Sequence, residues 1–261
     1  MELLVCIKQV PDTTDIKIDP INNTLVRSGV PSIINPFDMY AIEEALRIRE
    51  KIGGKVTVIS MGPPQVESAF KEAVSLGVDE CILLSDRKFA GADTLATSYT
   101  LAEGIKKTGK YDLIICGKQA ADGDTAQVGP GIAELLKIPQ STYVKKIEKI
   151  ENDKIIVHRT TDYGYDIVEM KLPAVITVIK EINDPRLPSL RGKMRAKKYE
   201  HKTLSAVDLQ VDEKKIGLDG SPTKVVKIFN PELKGGGEII EGEADEIAEK
   251  IFQKFIELKI I

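Results

Sequence analysis

The densest chemistry in the chain lies in the run Gly117-Lys118-Gln119-Ala120-Ala121-Asp122-Gly123-Asp124-Thr125-Ala126-Gln127-Val128-Gly129-Pro130-Gly131. It joins an apolar run of strand type to a run with helical spacing. The unpaired N–H groups at the start of a helix attract anions. Gly123 permits close backbone approach, and Asp124 or Thr125 is placed to cap the helix. The Thr125 hydroxyl and the Gln127 amide would complete a cradle for a phosphate. Asp122 and Asp124 oppose that reading, because they repel a phosphate unless they face ribose hydroxyls, backbone N–H groups or solvent. A capped turn holding no ligand explains the same residues.

Other chemistries find little support. Neither His158 nor His201 stands in a nucleophile context, no G-x-S-x-G occurs, and no catalytic residue is assigned. The cysteines Cys6, Cys81 and Cys116 form no CxxC and sit in apolar runs, so small buried hydrophobes compete with a redox or ligand role. No structural zinc or iron–sulfur site is expected. The first strand is followed by Lys8-Gln9-Val10-Pro11-Asp12, where a dinucleotide-binding G-x-G-x-x-G would stand in other proteins. Chemistry performed by a bound cofactor asks the protein only for position and electrostatics.

These residues need a scaffold, and the pattern supplies one. Apolar runs at residues 3–7, 55–60, 80–84 and 112–116 alternate with helical patterns at 39–52, 66–76, 94–107 and 125–136, each ending near glycine. Asp38 is the expected N-cap of the first helix, and Leu95, Tyr99, Ala102 and Ile105 the inner side of the third. The fold class read from this rhythm is α/β: an open, mostly parallel sheet with helices on both faces. Ligands of such sheets bind beyond the carboxyl ends of the strands, here at residues 8–14, 61–64, 86–94 and 117–131. A β-hairpin insertion is expected around Glu151-Asn152-Asp153, with further strands at 166–172 and 174–179. Residues 183–198 read as a basic surface loop, either solvated or facing an acidic partner. Gly235-Gly236-Gly237 reads as a hinge before an amphipathic helix from Glu243. The stripe Ile247, Ile251, Phe255 and Leu258 either closes the protein's own core or packs on another subunit.

With 261 residues and 42% hydrophobic content, the chain can bury a large core. Its 37 basic and 40 acidic side chains give a net charge of -3, which argues against a general nucleic-acid binder. No secretory signal and no apolar run of membrane-spanning length is seen, so a soluble, cytoplasmic protein without membrane insertion is expected.

Over essentially its whole length the sequence resembles the beta subunit of electron transfer flavoproteins. The resemblance rests on Cys6-Ile7-Lys8-Gln9-Val10-Pro11, on Asn35-Pro36-Phe37-Asp38 with Ala41-Ile42-Glu43-Glu44-Ala45, on the run from Gly117 to Gly131, and on residues 157–178 with Arg159, Asp162, Glu169, Leu172-Pro173-Ala174 and Val178. It implies an adenine nucleotide alpha hydrolase-like fold over residues 1–200 and an arm over 201–261 that packs on an alpha subunit. It further implies a nucleotide bordered by Cys6, Lys8, Asn35, Asp38, Met61 and Gly62 at the adenosine. Asp122, Gly123, Asp124, Thr125, Gln127, Val128 and Gly129 would surround the phosphates, with Pro130 and Gly131 finishing the turn. In ordinary members that nucleotide is a structural AMP. In bifurcating members it is an FAD that takes a hydride from NADH and divides the electrons between two acceptors. The sequence Asp122-Gly123-Asp124-Thr125-Ala126-Gln127-Val128-Gly129 resembles the bifurcating branch. Arg186, Leu187, Pro188, Leu190, Arg191 and Met194 resemble a loop that docks an acyl-CoA dehydrogenase-type flavoenzyme, and the branch implies ferredoxin or flavodoxin as second acceptor. A nucleotide-binding protein without a redox role remains as a distant alternative.

Overall fold

The computed structural model describes residues 1–12, 32–151, 153–226 and 237–261. Two compact units are present, Met1–Val226 and Lys227–Ile261.

In the first unit the strands are β1 (Glu2–Cys6), β2 (Gln9–Pro11), β3 (Ser32–Ile34), β4 (Lys55–Met61), β5 (Glu80–Leu84), β6 (Leu113–Gly117), β7 (Gln140–Glu151), β8 (Lys154–Thr161), β9 (Gly164–Lys171), β10 (Ala174–Val178) and β11 (Lys202–Leu204). Its helices are α1 (Pro36–Ile52), α2 (Glu67–Leu76), α3 (Thr94–Thr108), α4 (Val128–Leu136), α5 (Leu190–Ala196) and α6 (Ala206–Leu209). Among the described residues a nine-stranded sheet runs β11-β5-β4-β1-β6-β10-β7-β8-β9, and β2 pairs with β3 separately. Pairing is parallel from β11 through β7 and antiparallel across β7, β8 and β9. The α/β class and the hairpin insertion are therefore as the sequence indicates; Asn152 of the expected turn lies outside the described residues.

The inner strands are almost wholly apolar, with Thr57 and Ser60 of β4 as buried polar exceptions, because both of their faces are covered. Leu3, Val5, Val56 and Val58 pack with Ala41, Ile42 and Leu46 of α1, Phe70 and Ala73 of α2, and Val144, Ile155 and Val157 of the hairpin. Leu4, Cys6, Ile59 and Ile82 face the other way, onto Leu101 and Ile105 of α3 and Ile132 and Ala133 of α4. The chain passes from β1 to β4 and β5 on one side, then returns to β6 on the other. The switch point thus lies at β1, and in sheets of this topology the ligand crevice is the one beyond that strand's carboxyl end.

Several local expectations are corrected. Asn35, not Asp38, occupies the N-cap position of α1, with Pro36 at the start of the helix, where a missing N–H costs nothing. Helix α4 begins at Val128 rather than residue 125, because Asp124 and Ala126 take left-handed φ values of 46° and 54° that no right-handed helix accepts. Neither Asp124 nor Thr125 caps it: Gln127 holds the N-cap position, and its side chain accepts no bond from the helix. It closes on Lys137 in the left-handed region, not on glycine. On α3, Leu95 is exposed, while Ala96, Leu101, Ala102 and Ile105 are buried. Residues 183–198 are not all loop, since Ser189 caps α5 within them by accepting from the Gly192 N–H at 2.9 Å.

Residues 201–226, assigned to the arm on sequence, include edge strand β11 and the buried Ala206, Leu209 and Ile216, so the structure's own division falls after Val226. The second unit contains α7 (Ala244–Glu257), none of whose residues is buried. Gly235 and Gly236 of the expected hinge, and Thr13 and Thr14 of the first crevice loop, lie outside the described residues.

Candidate functional site

Three loops converge on the crevice because buried polar side chains tie them together. The Lys8 N–H, just past β1, donates to Asp38 Oδ2 at 2.7 Å, and the Asn35 N–H donates to the Lys8 carbonyl at 2.8 Å. Asn35 Nδ2 donates to Asp38 Oδ1 at 3.0 Å and to the Gln119 carbonyl at 2.8 Å. Its Oδ1 accepts from the Ala121 N–H at 2.9 Å. Asn35 is 1% exposed and Asp38 6%, so both hold the crevice wall from behind. Burial pushes the Asp38 carboxyl up to about 7, against the opposing bonds from Asn35, Lys8 and Gly117.

Close packing accounts for some of the glycines. A Cβ on Gly117 would stand 2.7 Å from the Phe37 carbonyl carbon and 2.8 Å from the Asp38 nitrogen, so only glycine lets β6 end against α1. One on Gly129 would stand 2.5 Å from Thr177 Cγ2, which fixes how near α4 lies to β10. Gly131 meets Ser98 of α3 in the same way. Gly123 differs, because a Cβ there would meet nothing within 4 Å.

The charges are partly arranged. Lys8 Nζ lies 2.5 Å from Asp122 Oδ1, which neutralises one of the two carboxylates that speak against an anion. Thr125 and Asp124 are exposed. The Thr94 hydroxyl donates to Gln127 Oε1 at 2.7 Å, joining the starts of α3 and α4. Among the described residues no acceptor meets the N–H groups of Val128 and Gly129 in the first turn of α4. Lys118 Nζ stands 5.6 Å from the Phe37 ring centroid and 5.4 Å from that of Tyr143. After β4, the Gly62 N–H donates to the Leu84 carbonyl at 3.0 Å, with Met61 beside it, half-buried.

Thus Cys6, Lys8, Met61 and Gly62 lie at or just past the carboxyl ends of β1 and β4, Asn35 and Asp38 at the start of α1, and Asp122 is brought to Lys8, while Gly129 and Gly131 are packed on Thr177 and Ser98. Asp93 and Thr94 were missed as individual residues; a cap residue before a helical run was their signal. Cys6 and Cys116 are register partners on β1 and β6, and the Cys116 hydrogen bond together with burial drives the Cys6 thiol well up. All three cysteines are buried and unbridged. Among the described residues no group of His, Cys, Asp or Glu is arranged to hold a metal ion, and no helix is long and apolar enough to cross a membrane.

The basic segment is less free than its composition indicates. Arg186 pairs with Glu43 at 2.7 Å and with Glu50, and Arg195 donates to the Val74 and Val78 carbonyls. Leu187, Leu190 and Met194 remain 88%, 79% and 64% exposed.

A parallel sheet wound in both directions from a central strand, with loops gathered at its switch point, defines the class as doubly wound α/β. The Electron transfer flavoprotein domain matches residues 22–209. The electron transfer flavoprotein subunit beta of Thermoanaerobacterium thermosaccharolyticum is 56% identical over 255 residues, 97% of each chain. That of Clostridium acetobutylicum is 52% identical over 257 residues, 98% of each. The caffeyl-CoA reductase-Etf complex subunit CarD of Acetobacterium woodii is 50% identical over 263 residues, 100% of each. The chain belongs to the electron transfer flavoprotein family, among its beta subunits.

Proposed function

We propose that this chain is the beta subunit of a heterodimeric, bifurcating electron transfer flavoprotein, and that its crevice holds the adenosine diphosphate part of an FAD. The supporting observation is the segment's donor set: open space at Gly123 and, among the described residues, no acceptor for the N–H groups of Val128 and Gly129, with Asp122 already paired to Lys8. A diphosphate fits this donor set. The likeness to a subunit of a caffeyl-CoA reductase-Etf complex supports the branch.

In this reading Asn35 and Asp38 fix the wall, Lys8, Met61 and Gly62 border the adenosine and ribose, and residues 122–129 meet the phosphates. When bound, FAD supplies acceptance of a hydride from NADH and release of single electrons. The chain's own task is to position the cofactor and shield it from water. With that group bound, the flavin of the alpha subunit and ferredoxin or flavodoxin would be the two acceptors. Leu187, Leu190 and Met194, exposed close in sequence to the ion-paired Arg186, are proposed to dock the acyl-CoA dehydrogenase-type acceptor together with Arg186, Pro188 and Arg191. The α7 stripe is proposed to pack on the alpha subunit.

The test is a cofactor count on the purified heterodimer. Two flavins per dimer and oxidation of NADH are expected; one flavin with one AMP would replace this reading with that of a simple carrier.

A further inference from the structure

The segment after β11 does more than extend the sheet, because it grips the loop that leads into α3 at both ends. At the near end the Ala206 N–H donates to Asp86 Oδ2 at 3.1 Å, and the Ser85 N–H donates to the Leu204 carbonyl at 3.0 Å. At the far end the Ser221 hydroxyl accepts from the Asp93 N–H at 2.8 Å and donates to the Gly217 carbonyl at 2.6 Å. Thr223 donates twice to Asp93 Oδ2, from its hydroxyl at 2.8 Å and its N–H at 3.1 Å. Leu218 packs 3.2 Å from where a Cβ on Gly91 would stand.

Asp93 serves two elements at once. While Oδ2 is held by Thr223, Oδ1 caps α3 by accepting from the Leu95 and Ala96 N–H groups at 2.9 and 3.1 Å. The next residue, Thr94, donates to Gln127 at the N-cap position of α4. A continuous chain of bonds therefore runs from Thr223 through Asp93 and the start of α3 to the side chain of Gln127, the N-cap residue of α4.

We propose that Asp93 and Thr223 are positioning residues of the crevice, through which the segment 204–223 sets where the N–H groups of α4 stand. The inference rests on the reading of the crevice as the FAD site. A carboxylate with one oxygen on each of two elements transmits a shift of either to the other. Thr94 and Gln127 carry that shift to the donors that would face the phosphates.

The test is FAD titration into the cofactor-stripped heterodimer, with hydrogen exchange followed over residues 127–131. Thr223→Val removes the hydroxyl donor and keeps the backbone bond; Thr223→Ser restores the donor. A loss of about 3- to 10-fold in FAD affinity is expected for Thr223→Val, with faster exchange at 127–131 and recovery in Thr223→Ser, since a hydrogen bond to a charged group is worth roughly 1 kcal/mol or more. Wild-type affinity in Thr223→Val, or a lowered melting temperature with unchanged affinity, would reduce the contact to a structural staple and overturn the proposal. Failure of the wild-type heterodimer to bind FAD at this site would remove the reading beneath it, a result distinct from equal binding by all three proteins.

Discussion

The N–H of Lys8 donates to the buried carboxylate of Asp38 at 2.7 Å, and this bond joins the end of the central strand to the first turn of α1. The same carboxyl is pushed up to about 7 by burial. A carboxyl raised in the folded state contributes stability that is present at low pH and lost as pH rises toward its folded value.

Stability is therefore expected to fall between pH 5 and pH 8 by roughly 2–3 kcal/mol on account of this group. Asp38→Asn, which resembles the protonated form, should flatten that slope. Urea unfolding midpoints across this pH range check it; an unchanged slope in the variant would assign the effect elsewhere.

Arg186 is the main counter-charge of Glu43, whose side chain is only 4% exposed. Arg186→Ala should cost about 1–3 kcal/mol at pH 7. Bonds from Arg186 and Arg47 overcome burial and hold the Glu43 carboxyl below its usual range. The stability it contributes is thus present above the ordinary glutamate value and lost as pH falls through the lowered one. The gap between wild type and variant should close in acid, as denaturation at pH 7 and below pH 4 will show.

Three thiols are buried, and burial drives Cys81 up to about 12. A thiol-specific chromogenic reagent should therefore react slowly with the native chain and count three thiols in denaturant. Rapid native labelling of one cysteine would show that its strand opens.

Glycines of one segment should behave differently. Gly129→Ala forces a Cβ against Thr177 and is expected to lose about 1–3 kcal/mol. Gly123→Ala meets open space and should stay within about 0.5 kcal/mol of wild type. Thermal melts of the two variants decide the matter.

What could be read in advance follows from physics that is local in sequence. Strands β1, β4, β5 and β6 were legible because coverage on both faces demands largely apolar runs, even with Thr57 and Ser60 inside β4. Local pattern marked the start of α1 but put Asp38 at the cap that Asn35 holds, and the two entered as site residues only through the family resemblance. That Asn35 reaches Gln119 and Ala121 was not legible, since no local pattern encodes a bond across more than eighty residues. The late start of α4 was hidden because left-handed Asp124 and Ala126 leave no mark in composition. Helix α5 was masked by the basic charges around it, and the fixing of Arg186 by Glu43 and Glu50 depends on residues some 140 positions away.

The most direct measurement is the flavin count of the heterodimer carrying Gly123→Leu beside that of wild type. A Cβ at this position meets nothing within 4 Å, so the added bulk enters open space. Two flavins in wild type and one in a folded variant are expected. Two flavins retained by the variant, or AMP in place of the second flavin in wild type, would contradict FAD in the β1–β6 crevice.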